Sequence, residues 1–142
     1  MSDVVRTDSA PAPVGAYPHA RHVGDLLFLS GVGPREPGSN RIPGNVYDAE
    51  NRLIDYDIEQ QCRQVFANVR AVLEASGARW EDLVDVTVFL TDMARDFPTY
   101  NRLYAECFQG VDACRTTLGV TALPTPIAIE LKCIAALPAV SR

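Results

Sequence analysis

The sequence predicts an α+β fold in which two helices cover one face of a single sheet, and three observations carry that expectation. A stretch beginning at Asp57 repeats its apolar residues at helical spacing up to Leu73. Several separate runs are rich in β-branched and aromatic residues. The order of elements is strand–strand, helix, strand, helix, strand–strand, and two helices are too few to cover both faces of such a sheet. One face is therefore left partly apolar for a partner subunit.

The elements follow in order. The first fifteen residues are rich in Pro and Ala and are expected to run extended over the surface. Ala20 to Val23 and Leu26 to Val32 are short β-type runs on either side of Gly24-Asp25, a hairpin turn signal. Gly31 and Gly33 punctuate the end of the second run. Residues 34–56 form a long polar connection with Pro37, Gly38, Pro43 and Gly44, the kind of loop that is more often functional or an interface lid than filler. Asp57 with Gln60 is a capping-box pattern, and Ile58, Cys62, Val65, Phe66, Val69, Val72 and Leu73 mark one helical face ending at Ser76-Gly77. Leu83 to Leu90 reads as a strand. A second helix is expected from about Asp96 to Phe108, with Pro98 in its first turn. Cys114 to Val120 and Ile127 to Leu137 close the chain as strands around a Pro-containing loop.

Composition limits the function. The chain has 142 residues, 47% hydrophobic and 22% charged, which suits one soluble globular domain. It lacks the apolar run of about 18 residues needed to cross a bilayer. The start of the chain has no basic segment followed by an apolar one, so the cytoplasm is the expected compartment. Net charge is −5 and the isoelectric point is near 4.9, with no Lys/Arg-rich run to neutralise phosphates, so no nucleic-acid partner is expected. Cys62, Cys107, Cys114 and Cys133 are widely spaced and far from His19 and His22, so they read as reduced core or interface thiols rather than metal ligands.

Chemistry is expected at the last two strands. Alternation puts Ile127, Ile129, Leu131 and Cys133 on one face and Glu130 and Lys132 on the other. Taken alone, that pair reads as a surface salt bridge. Arg115, with Thr116 and Thr117 beside it, offers a planar fork suited to a carboxylate, and antiparallel pairing of the last two strands would bring it near Glu130. Its bland alternative is a structural ion pair with Glu130 or Asp112. With the glycine-broken strand end at Ser30-Gly31 and an exposed Tyr17, these residues outline a small carboxylate pocket with a possible acid/base. His19 and His22 have nothing local to orient them and read as surface or hairpin residues. The residues alone name no reaction.

At these positions the sequence resembles the Rid family of reactive-intermediate deaminases, also called the YjgF-type family. The similarity begins at Ala10-Pro11, Tyr17-Pro18 and Gly24-Asp25 through Ser30-Gly31. It continues through Val86 to Met93 and Tyr100-Asn101 with Tyr104, and ends at Arg115-Thr116-Thr117, Leu123-Pro124 and Ile129-Glu130. The resemblance implies a chorismate-mutase-like fold with a mixed sheet of about six strands and two helices on one face. It also implies a homotrimer around a central barrel, with sites between subunits and no metal or organic cofactor. By position, Arg115 would bind the substrate carboxylate, Glu130 would activate water, and Tyr17, Ser30, Gly31 and Asn101 would line the pocket. Thr117 and Lys132 stand where many deaminating members carry Ser or Cys and a second Glu, and the 34–56 loop is longer. These departures imply a specialised substrate, and the overall sequence looks most like the branch that deaminates 2-aminomuconate to 4-oxalocrotonate. The alternatives are a deaminase of 2-iminobutyrate and 2-iminopropionate, or a non-catalytic ligand-binding member. A ribonuclease fits poorly with so acidic a chain.

Overall fold

The structure, a computed structural model, describes residues 3–138. Its strands are β1 (Val4–Val5), β2 (Ala20–Val23), β3 (Leu26–Leu29), β4 (Val46–Tyr47), β5 (Leu53–Asp55), β6 (Leu83–Leu90), β7 (Cys114–Gly119) and β8 (Ile129–Ala136). The helices are α1 (Ile58–Ala75) and α2 (Met93–Cys107). Six strands form one sheet in the order β1-β2-β3-β8-β6-β7, and β4 with β5 makes a separate ribbon. The sheet is mixed, with two helices against it, as the sequence predicts.

Local signals explain most of the elements. Gly24, at φ +60°, turns β2 into β3 in a conformation that other residues seldom adopt. Asp57 caps α1 by accepting from the backbone of Glu59 and Gln60, and the Gln60 side chain returns a bond to the Asp57 carboxylate. One face of α1 is sealed against the sheet: Cys62, Val65, Val69 and Leu73 are fully buried, as are Ile129, Leu131, Cys133 and Ala135 of β8. Each side chain of Val or Leu size so placed stabilises the fold by about 1.5–3 kcal/mol.

The opening segment runs extended, and its Val4 and Val5 pair with Arg21 and Ala20. Three expectations need correction. The 34–56 connection carries the β4–β5 ribbon. Helix α2 starts at Met93, capped by the Asp92 carboxylate accepting from the Arg95 backbone, so Pro98 lies inside the helix beyond its first turn. Finally, β7 and β8 do not pair. A parallel pair needs a long crossover, and α2 is that crossover between β6 and β7. Strand β8 then enters between β3 and β6, antiparallel to both.

The strand predicted from Leu26 to Val32 stops at Leu29. Phe28 pairs with Ile134, and pairing resumes only at Val32 with Leu131. Leu29, Ser30 and Gly31 thus stand opposite Lys132 and Cys133, an extra residue that bows this strand away from its neighbour. The Leu29 carbonyl accepts a hydrogen bond from the Lys132 ammonium. The sheet face away from the helices exposes Val23, Leu26 and Leu118, with Phe28, Phe89 and Ile134 half-buried between them.

Candidate active site

Arg115 lies on the edge strand opposite Val86, which in turn opposes the buried Cys133, so its side chain projects to the helix side. There the guanidinium donates to Asn101 Oδ1 at 2.9 Å and lies over the aromatic rings of α2, 4.7 Å from the Tyr104 centroid and 5.3 Å from that of Tyr100. Asn101 falls one residue after Tyr100 on α2, which is how the helix sets both an acceptor and a ring beside the strand. Thr117, two residues on and on the same face, shares a 2.9 Å hydrogen bond with the Tyr100 hydroxyl. Among the described residues neither Glu130 nor Asp112 pairs with Arg115, which keeps most of its five N–H donors for a ligand. The Tyr104 hydroxyl beneath it is buried and has no hydrogen-bond partner among the described residues.

Glu130 opposes Phe89 and projects from the other face of the sheet. Its carboxylate lies against Gly31: a Cβ there would come within 2.8 Å of Oε2. Among the described residues no hydrogen bond or ion pair reaches it, and burial alone raises its pKa above the ordinary 4.5. Lys132, on the same face, makes no ion pair with Glu130 and is committed to the Leu29 carbonyl, with its pKa lowered by burial. Ser30 donates its hydroxyl proton to the Pro18 carbonyl at 2.6 Å. Tyr17 accepts at its hydroxyl from the Val14 backbone. Tyr17, Ser30 and Gly31 line one cleft of about 40 Å³ together with His19, Arg35 and Pro11.

The eight predicted site residues therefore fall into two groups. Tyr17, Ser30, Gly31, Glu130 and Lys132 gather around the bulge of β3. Arg115, Asn101 and Thr117 gather on β7 and α2. Within one chain, Arg115 and Glu130 do not converge, because their registers put them on opposite faces. Sequence reasoning missed the ring wall that Phe97, Tyr100 and Tyr104 of α2 form around Arg115. Among the described residues no group of three or more His, Cys, Asp or Glu is placed to hold a metal ion, and all four cysteines are free.

A sheet of this order with two helices against it defines a class of fold, and comparison with known proteins agrees. Residues 7–137 match the family model described as Endoribonuclease L-PSP, and the chain belongs to that family, the one named Rid above. It is similar to RutC family protein PH0854 of Pyrococcus horikoshii, 37% identical over 95% of this chain and 98% of that protein. It is 37% identical to Reactive Intermediate Deaminase A, chloroplastic, of Arabidopsis thaliana, over 95% of this chain and 66% of that protein. The 2-iminobutanoate/2-iminopropanoate deaminase of Dermatophagoides farinae is 35% identical over 92% of this chain and 93% of its own length. Among solved structures, E. coli TdcF with bound serine superimposes with a TM-score of 0.80 at 30% identity, covering 95% of this chain and 98% of that one.

Proposed function

We propose that this protein is a hydrolytic deaminase of small 2-imino and enamine carboxylates, with each active site built from the Arg115 half-site of one protomer and the Glu130 half-site of the next. The observation that carries the reading is the pair of uncompensated charges on opposite sheet faces. Arg115 is a fork with free donors, and Glu130 is a half-buried carboxylate without a partner. A ring of protomers, three in the assembly the resemblance implies, brings the edge strand of one against the open face of its neighbour. The exposed Val23, Leu26 and Leu118 suit that burial.

The chemistry needs no strong nucleophile. Arg115 holds the substrate carboxylate and aligns the imine carbon. Glu130 takes a proton from water as its oxygen bonds to that carbon. The same proton passes to nitrogen to give a carbinolamine, the hydroxyl proton of which then moves through Glu130 to nitrogen as the C–N bond breaks, so that a 2-oxo acid and ammonia leave. A positioned carboxylate contributes about 10²–10⁴-fold in such proton transfers. No metal or organic cofactor enters these steps, and the cytoplasm is the compartment proposed.

Small imino acids such as 2-iminobutanoate are the substrates favoured by the relatives' names. The narrower expectation, 2-aminomuconate, gains nothing from those names. It required a second cation, and Lys132 is held instead at Leu29. The decisive experiment measures ammonia release from enzymatically generated 2-iminobutanoate and 2-aminomuconate, with Arg115→Ala and Glu130→Gln as controls. Wild-type-like turnover by Glu130→Gln removes Glu130 from the mechanism, and inertness towards both compounds overturns the deaminase reading in favour of ligand binding.

A further inference from the structure

We infer that Tyr100 is a positioning residue of the Arg115 half-site: its buried hydroxyl turns the Thr117 hydroxyl proton outward, so that threonine as well as arginine holds the substrate carboxylate. The inference deepens the reading above and rests on its Arg115 clamp.

Tyr100 and Thr117 come from different elements. Tyr100 lies on α2 and is fully buried, whereas Thr117 lies half-buried on the edge strand β7, on the face that also carries Arg115. The register fixes this placement, because Arg115 opposes Val86 and Thr117 opposes Val88, two fully buried residues on one face of β6. The Tyr100 and Thr117 hydroxyls meet at 2.9 Å, and among the described residues Thr117 Oγ1 has no other hydrogen-bond partner. The Arg115 guanidinium lies 5.3 Å from the centroid of the same Tyr100 ring, so the arginine and threonine donors border one patch. Tyr104 cannot take this part. Its ring is nearer the guanidinium, at 4.7 Å, but its hydroxyl has no hydrogen-bond partner among the described residues.

The direction of the hydroxyl pair follows from acidity and burial. A phenol is the stronger acid and an alcohol the better acceptor, so Tyr100 donates and Thr117 accepts. Burial raises the Tyr100 pKa, so the phenol keeps its proton at neutral pH. The reverse arrangement would strand the phenol proton inside the protein, where buried polar groups need a partner. Thr117, at the half-exposed end of the pair, is therefore left with its own proton to give. A carboxylate on Arg115 is the acceptor that this proton and the free guanidinium donors share.

The test uses Tyr100→Phe, which keeps the ring beside Arg115, Thr117→Val, which keeps the branched shape, and the double variant. Each is read by KM and kcat for 2-iminobutanoate, generated in place by an amino-acid oxidase in competition with semicarbazide trapping, and by calorimetric Kd for 2-oxobutanoate. Thr117→Val should raise KM and Kd about tenfold and Tyr100→Phe about threefold to fivefold, the range for a hydrogen bond to a charged group lost or left unaimed. The contact is made before and during the reaction alike, so kcat should stay within about twofold. The double variant should be no worse than Thr117→Val, since a residue acting only through Thr117 has nothing left to lose. A merely structural Tyr100 would show the same loss again in the Thr117→Val background. Such additivity, or a Kd unmoved by Tyr100→Phe, overturns the inference while the deaminase reading stands. Wild-type protein that binds 2-oxobutanoate without hydrolysing the imine removes the deaminase reading, and the Kd cycle still decides the role of Tyr100. Wild-type protein that does not bind 2-oxobutanoate removes the clamp and this inference with it.

Discussion

Arg115→Ala and Glu130→Gln should each be inactive alone and active when mixed. Arg115 faces the helix side with Val86, and Glu130 faces the open side with Phe89, so one chain cannot assemble a site from its own pair. In a head-to-tail ring every site takes its arginine from one subunit and its glutamate from the next. If equal amounts of the two variants associate at random, half of the sites have an intact Arg115, and half of those face an intact Glu130. About one quarter of the wild-type activity per site should return. The assay is ammonia release after reversible dissociation and reassembly of the mixed variants, or after their co-expression, with each homogeneous variant as baseline. No recovery in mixtures shown by mass spectrometry to contain both chains refutes the composite site. It would mean that the two residues act within one chain or that one of them does not act at all.

Three further outcomes follow from the geometry. Gly31→Ala should fold, since Gly31 does not need a left-handed backbone, yet its methyl would displace the Glu130 carboxylate from a 2.8 Å approach. A shift of about 1 Å at such a group costs up to about 10²-fold in kcat, so kcat should fall 10- to 100-fold with melting little changed; unaltered kcat removes the contact from the mechanism. Burial raises the pKa of Glu130, so its ionisation disfavours the folded state: stability is fullest below the ordinary glutamate range and is lost as pH rises through the raised value. Glu130→Gln should therefore melt above wild type at pH 7 and lose that advantage near pH 4, while the acid limb of the wild-type pH–rate profile lies above 4.5. Equal melting at both pH values contradicts the burial argument. Tyr56→Phe should lower stability by about 1–3 kcal/mol in denaturant titration, because the Tyr56 hydroxyl donates to the buried Asp96 carboxylate at 2.6 Å and the other Asp96 oxygen has no hydrogen bond, only the Arg95 guanidinium at 3.7 Å. Asp96→Asn in that background should restore part of the loss.

The legible parts of this protein were those set by local chemistry. The stripe of α1, its Asp57 cap, the Gly24 turn and the alternation of β8 are each decided within a few residues, and each is where the sequence places it. Glu130 and Lys132 do share a face, and Arg115 does begin a strand. Partner choice between strands is non-local, and there the reading failed. Two strands joined by a short loop suggest a hairpin, but the crossover through α2 commits β7 to β6, and β8 is then drawn into the middle, where its apolar face is sealed by α1. The bulge at residues 29–31 was equally invisible, because its signal is a count of residues against another strand. Lys132 has no special neighbour in sequence, yet it supplies the bond that the bowed Leu29 carbonyl has lost.

The same bulge and strand order make a pair of this kind tolerable within one chain. A half-buried carboxylate with no partner is costly only while ionised, and a raised pKa lets protonation relieve it. An arginine cannot take that route, and Arg115 instead lies at the sheet edge, half-exposed, with Asn101 and three rings of α2 around it. Each half-site is thus tolerable alone, and each gains from the charge that the other and the substrate supply. Binding, assembly and chemistry then draw on the same two uncompensated groups. A variant that satisfies one of them within its own chain, for instance an acid placed at Thr117 beside Arg115, should gain stability and lose turnover together. Turnover retained in Thr117→Glu with a raised melting temperature would show that Arg115 is not the carboxylate clamp.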